Sequence, residues 1–255
     1  MKKLANLPKI IYEDKYILVV NKPPGLVVQG VKRDEESLLR ILKDFIKERD
    51  KKPGEVFLGV VHKLDKMVSG ILVLAKRSKS AKRLSESFQK REVIKLYLAR
   101  VEGILKGEGV WEDYLLWDDK KRKALVLKET SKNAKKAITV YFSLYSLNNE
   151  TFLLLIPLTG RKHQLRAVLS RRGCPIIGDI KYGSNKKVLN GEAILLHSFY
   201  LSFPHPMSKE KLEFWAEIPN YFSFDAKYKN KVFEFIKRVH EHWDGVKYRA
   251  NKNFM

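Results

Sequence analysis

The sequence predicts an α+β fold: one large mixed, mostly antiparallel β-sheet flanked by helices. Three observations lead there. Strand-like stretches, either alternating or continuously apolar, outnumber helical ones. The helical stretches are interspersed without forming regular strand–helix–strand units. No Pro/Gly/Ser-rich linker or internal repeat divides the 255 residues, which suffice for a sizeable core.

In order along the chain, YILVVNKPPGLVV reads as strand, turn and strand, with Pro23, Pro24 and Gly25 making the turn. DEESLLRILKDFIKE reads as a helix capped by Asp34, with Leu38, Ile41, Leu42 and Phe45 on one face. Strands follow at Phe57–Val61 and Gly70–Ala75, then a basic helix, SKSAKRLSESFQKR, with Ser78 as its cap. VIKLYLARVEG alternates, Ile94, Leu96 and Leu98 pointing one way and Lys95, Tyr97 and Ala99 the other. DDKKRK (Asp118–Lys123) reads as an exposed turn. AITVYFSLYSL and TFLLLIPL read as a hairpin joined across Asn148 and Asn149. HQLRAVLSRRG is a helix ending at Gly173, and AILLHSFYLSF and KLEFWAEI are two more strands. KVFEFIKRVHEHW is amphipathic through Val232, Phe235, Ile236, Val239 and Trp243.

Composition narrows the function. Lys and Arg number 51 against 29 Asp and Glu, a net charge of +22. Such an excess favours a polyanionic partner, nucleic acid first, because surface cations displace counterions from phosphates. A solvated basic face or an anionic membrane surface would share the signal. Cys174 is the lone cysteine, so neither an internal disulfide nor a thiolate zinc cluster forms, and a reducing cytoplasm fits. Pro8, Glu13 and Asp14 break up the N-terminus, which is no signal peptide, and no apolar run is long enough for a membrane span.

The familiar cofactor motifs are missing. The histidines, His62, His163, His197 and His205 among them, lack the pairing of a metalloprotease helix, so no metal is expected. There is no GxxxxGK[ST]. Gly103, Gly107 and Gly109 do not make GxGxxG, and no G-x-S-x-G surrounds Ser69. What stands out is Asp65, a single carboxylate among His62, Lys63 and Lys66. Read alone it is a turn or capping residue. A second segment follows, PLTGRKHQLRAVLSRRG, in which Arg161, His163 and Arg166 crowd a helix start, a place that suits an anion.

HKLDKMVSGILVLAK, KLYLARVEG, TGRKHQLR and PIIGDIKYG occur in that order, with IIYEDKYILVVNKPPGL ahead and AILLHSFYLSFPHP behind. Together they resemble the RluA-type pseudouridine synthases over Ile10–Pro219. The resemblance implies isomerisation of uridine to pseudouridine in ribosomal or transfer RNA, without cofactor or metal. It makes Asp65 the essential carboxylate, attacking ribose C1′ or taking a proton from C2′. Tyr97 would stack on the flipped uracil and help remove the C5 proton. Arg166 would pair with the Asp, with Arg161 the second choice for that role.

A base must leave its stack to be reached, and His62 and Lys63 would fill the vacated space. Lys63, Met67 and Val68 depart from the usual family residues of this loop, as Lys162 does from the small hydroxyl residue of GRTHQ. The expected organisation is an N-terminal tail (1–9), a catalytic domain (10–220) and a basic helical extension (221–255). Many family members carry an S4-type domain, for which no room precedes Ile10. A cytoplasmic monomer is expected, with RNA held by Lys76, Arg77, Lys79, Lys82 and Arg83, by the KKRK turn and by the tail lysines. Two other classes compete: a non-catalytic RNA-binding or ribosome-assembly protein that keeps the fold, and a hydrolase with an Asp nucleophile. A second carboxylate at fixed spacing, which a hydrolase would use as base, is missing.

Overall fold

The computed structural model describes residues 7–30 and 36–245. In chain order the elements are β1 (Lys9–Glu13), β2 (Ile17–Lys22), α1 (Leu38–Arg49), β3 (Gly59–Val60), β4 (Ser69–Ala75), α2 (Ser78–Gln89) and β5 (Ile94–Glu102). There follow β6 (Glu108–Asp118), β7 (Lys123–Leu127), β8 (Lys135–Leu147), β9 (Glu150–Pro157), α3 (Gln164–Arg171), β10 (Leu196–Pro204), β11 (Lys211–Trp215) and α4 (Lys229–Glu241). The strand-rich α+β class is as the sequence predicts, and the chain gathers into two compact units.

The first unit runs to Lys95 and includes His197–Glu217. Its strands lie in the order β1, β2, β4, β10, with β3 also on β4 and β11 also on β10. All these pairs are antiparallel except β4 with β10, which is parallel. Asp14 turns the chain from β1 into β2 by accepting the Tyr16 and Ile17 amides, each at 2.7 Å. Every residue of β4 is buried. Ile17, Val19, Ile71, Val73, Leu201 and Phe203 form a core with Leu84 of α2, while Leu18, Val20, Leu72 and Leu74 are equally buried. Successive β residues point to opposite faces, so this sheet is covered on both.

Three local expectations need correction here. LVV after Gly25 is not a strand. The Val27 and Val28 carbonyls accept from Leu38 and Leu39 at the start of α1, so they serve a helix rather than a ladder. Ser37 caps α1, its hydroxyl accepting from the Arg40 amide; Asp34 lies outside the described residues. Ser78 is already the first residue of α2. Arg77 holds the extended cap position, without a side-chain cap bond.

The second unit holds Leu96–Leu196 and the chain from Ile218. Its order is β5, β9, β8, β6, β7, all antiparallel. The β8–β9 turn uses Asn148 and Asn149 at φ of 51° and 58°, the left-handed pair of a tight hairpin. Around the predicted Asp118–Lys123 turn the structure builds a whole hairpin, β6–β7, which the sequence pattern does not predict. Ala167 and Val168 of α3 pack with Leu115, Ala124 and Ala137 beneath it. Helix α4 buries Val232, Phe235, Ile236 and Val239, and Phe235 stacks on Phe142 of β8 at 5.0 Å. Trp243 lies just past the end of α4. Cys174 is buried, within 3.4 Å of where a side chain on Gly103 would begin.

Candidate active site

In the first unit, the link from β3 to β4 carries Asp65. Leu64 and Val68 are buried and Lys63 and Lys66 exposed, so the turn shows its cations and half-buries its carboxylate. The Val68 amide closes the turn on the Asp65 carbonyl at 3.1 Å. Val68, one of the departures from the family pattern, is thus a packed turn residue.

The turn is restrained on three sides. At its exit, Ser69 Oγ lies 2.8 Å from His197 Nδ1 of β10. Gly70 follows at φ 116°, where an added Cβ would meet the Ser198 backbone N at 2.5 Å and O at 2.3 Å. Only glycine allows β4 and β10 to approach so closely. At its entrance, His62 Nε2 accepts from the Val73 amide at 3.1 Å, so its ring proton is on Nδ1. The ring stacks on Phe88, 4.8 Å between centroids. Burial there, with Lys95 nearby, holds the imidazole down to about 3. His62 is therefore a neutral tether of β4, and Lys63 beside it is exposed.

The third restraint is Lys22, absent from the candidates above. It is 0% exposed and lies opposite Gly70 in the β2–β4 ladder. Its Nζ donates to the carbonyls of Pro23 and Leu26, both at 2.8 Å, and of Lys66 at 3.2 Å. Burial lowers its pKa to about 7, against the pull of Asp65, which raises it.

The basic helix contributes less than its composition promises. Arg77, Lys79 and Lys82 are exposed. Lys76 is taken by Glu13 and the Asp14 carbonyl, both at 2.6 Å, and Arg83 by the Pro206 carbonyl and Met207 sulfur. Both side chains are thus engaged within the protein. The Arg49 and Lys76 charges together bring Glu13 down to about 2.

In the second unit, Tyr97 is buried in β5 opposite Leu155 of β9. Arg166 is buried in the first turn of α3, and its Nε and Nη2 grip Asp179 at 2.6 and 2.9 Å. The sequence motifs give Arg166 only Asp65 as partner; Asp179, displayed in GDIKYG, is the one that sequence reasoning missed. The guanidinium also lies 4.9 Å over the Tyr182 ring. The Tyr182 hydroxyl accepts from the Ala124 amide at 2.7 Å and meets His163 Nδ1 at 2.9 Å.

His163 caps α3 in the left-handed region, φ 55°. Gln164 organises the preceding turn. Its Oε1 accepts from Thr159 Oγ1 and the Arg161 amide, and its Nε2 donates to the Ile138 carbonyl and Thr139 Oγ1. Arg161 Nε is committed to the Lys136 carbonyl at 2.9 Å. Lys162 lays its ammonium 3.5 Å from the centre of the Trp117 ring, a cation–π contact near the tip of the β6–β7 hairpin. The structure thus brings Arg161, His163 and Arg166 together at one helix start, with each side chain already engaged. The KKRK turn stands at the hairpin tip, where Lys120, Lys121 and Arg122 are exposed. Among the described residues, no three His, Cys, Asp or Glu side chains converge as metal ligands, and no helix is long and apolar enough to cross a membrane.

The family model described as RNA pseudouridylate synthase matches residues 16–171. The chain belongs to this family, in its RluA branch, and is an RNA pseudouridine synthase, an isomerase. It is 36% identical over 219 residues to the ribosomal large subunit pseudouridine synthase C of Rickettsia bellii, covering 84% of this chain and 69% of that one. Among solved structures it is similar to human RNA pseudouridylate synthase domain containing 4, with a TM-score of 0.72, 28% identity and coverage of 87% and 93%. Human RNA pseudouridylate synthase domain containing 1 matches with a TM-score of 0.66, 27% identity and 87% coverage of both chains.

Proposed function

We propose that the chain isomerises uridine in large-subunit ribosomal RNA, with Asp65 as the essential carboxylate. The observation that carries this reading is the Asp65 turn: its backbone is tied down by His62, Ser69, Gly70 and Lys22 while the carboxylate stays half-exposed. Relatives named for the large ribosomal subunit support the choice of RNA. In the reaction the N1–C1′ bond breaks, the uracil turns and C5 bonds to C1′. C5 then gives up its proton and N1 regains one, so atoms balance without any redox partner. Asp65 attacks C1′ or takes the C2′ proton. Tyr97 stacks on the uracil and helps remove the C5 proton, and Arg166 orients the site. The exposed Lys63, Arg77, Lys79 and Lys82, with the KKRK turn, hold phosphates. Residues 10–220 act as the catalytic segment, and the enzyme works as a cytoplasmic monomer.

Asp65→Asn tests this. Single-turnover conversion of a large-subunit ribosomal RNA transcript should fall by roughly a thousandfold or more, as for other essential catalytic groups, with RNA affinity kept. Conversion at a rate comparable to wild type would sink the assignment.

A further inference from the structure

We propose that Trp117, near the tip of the β6–β7 hairpin, is a stacking platform for one nucleobase of the RNA, and that Lys162, now lying on its ring, takes the adjoining phosphate. The inference rests on the RNA-modifying reading of the chain and adds a nucleotide subsite to it.

Three features carry it. The indole is held ready. It packs against the core of Leu115, Ala124 and Ala167, its Nε1 donates to Asp119 at 2.9 Å, and the His163 ring meets it edge-on at 5.2 Å. A ring fixed in this way loses little freedom when a ligand stacks on it. The ring nevertheless stays only half-buried, and the group 3.5 Å over its centre is the ammonium of an exposed lysine. Third, the surroundings suit a polyanion. The tip carries Lys120, Lys121, Arg122 and Lys123 against Asp118 and Asp119, and Lys181 reaches the Arg122 carbonyl at 3.1 Å.

Magnitudes favour an exchange. A cation–π contact at an exposed site is worth about two- to fivefold in an equilibrium constant. A nucleobase stacked on an aromatic side chain is worth roughly five- to a hundredfold. A base therefore displaces the lysine, and the displaced ammonium gains a phosphate. Tyr97 of β5 lies level with Leu155, Tyr141 and Gly109 across the sheet, and Trp117 stands further along β6 than Gly109. The base on Trp117 thus belongs to a different nucleotide from the uracil assigned to Tyr97.

The test titrates the full chain with a large-subunit ribosomal RNA transcript from 50 to 200 mM salt. Trp117→Leu should weaken binding by about five- to a hundredfold at every salt concentration and keep the log–log slope, because a stack releases no counterions. Trp117→Phe should recover part of the loss. Lys162→Thr should instead flatten the slope by roughly 0.7–0.9, one phosphate contact. A folded Trp117→Leu with wild-type affinity overturns the proposal. So does a loss that comes with a flattened slope, which reports displaced cations rather than a missing stack. An unchanged slope in Lys162→Thr removes the phosphate from that residue. If Trp117→Leu does not fold, ultraviolet cross-linking of the wild-type complex decides alone: a nucleotide joined to Trp117 supports the platform, and none there overturns it. A transfer RNA transcript is titrated in parallel. Tighter binding of it by wild type would sink the choice of ribosomal RNA alone, and the variants would then be read on transfer RNA.

Discussion

Asp65 and Asp179 both lie beside a buried cation, and they are held by opposite means. Around Asp65 the restraint runs through the backbone: Lys22 grips the next carbonyl, Val68 closes the turn, and Gly70 locks the exit against β10. Around Asp179 it runs through the side chain, both carboxylate oxygens accepting from the Arg166 fork. Asp65 is half-buried, Asp179 1% exposed. The Asp65 turn is thus tied through its peptide groups, whereas Asp179 is tied through its carboxylate.

The sharpest way to break this contrast is to neutralise the structural carboxylate. Asp179→Asn leaves the Arg166 charge buried without its counterion, which should cost about 3–5 kcal/mol in denaturant unfolding. Asp65→Asn should cost little there. Equal losses in the two variants would show that both aspartates are structural.

Next in size is the backbone lock. Gly70→Ala puts a methyl within 2.3–2.7 Å of the Ser198 backbone in a left-handed conformation, so β4 and β10 must part. A loss of roughly 2 kcal/mol or more is expected, measured by thermal melting. A variant as stable as wild type would mean that the strand pair yields easily and restrains nothing.

The pH dependence of stability sharpens the role of Lys22. Its folded value of about 7 lies below the ordinary 10.5. Between those values the unfolded chain binds a proton that the folded chain has released, so stability rises with pH. Relative to Lys22→Met, wild type should gain up to about 1.4 kcal/mol per pH unit across that window. Parallel stability curves for the two proteins would remove the titration from Lys22.

The smallest effect concerns neither aspartate. Changing Lys120, Lys121, Arg122 and Lys123 to Gln should leave saturating single-turnover rates intact and flatten the salt dependence of RNA binding. Each phosphate that is no longer neutralised takes roughly 0.7–0.9 from the log–log slope. An unchanged slope would mean that RNA phosphates are held elsewhere, with the exposed lysines of α2 the next to change.

Much of the sheet was legible because its signals are local. The β8–β9 hairpin announces itself through two apolar runs and an Asn pair that tolerates positive φ. α4 does so through an apolar stripe at helical spacing. What escaped depends on distant partners. Lys22 reads as a turn residue until the carbonyl 44 residues on is seen. The Val73 amide that donates to the His62 ring lies across the turn, 11 residues on, and is equally invisible in the sequence. Lys76 is one lysine in a basic helix until Glu13, 63 residues away, neutralises it. The β6–β7 hairpin was missed because Glu112 and Asp113 interrupt its apolar alternation; Asp113 is nevertheless buried, paired with Arg172. The candidate carboxylate, tyrosine and arginine were legible only as a set of motifs in order.

Cys174 has a practical consequence for following RNA capture. It is the one thiol in the sequence, it is buried, and burial pushes its pKa up, so it is a poor target for alkylating dyes. The natural chain is therefore a ready background for site-selective labelling. A cysteine introduced at Lys120 at the hairpin tip, or at Lys79 on α2, would take a fluorophore or spin label at a single address. Each compact unit then acquires its own reporter without first removing a native residue.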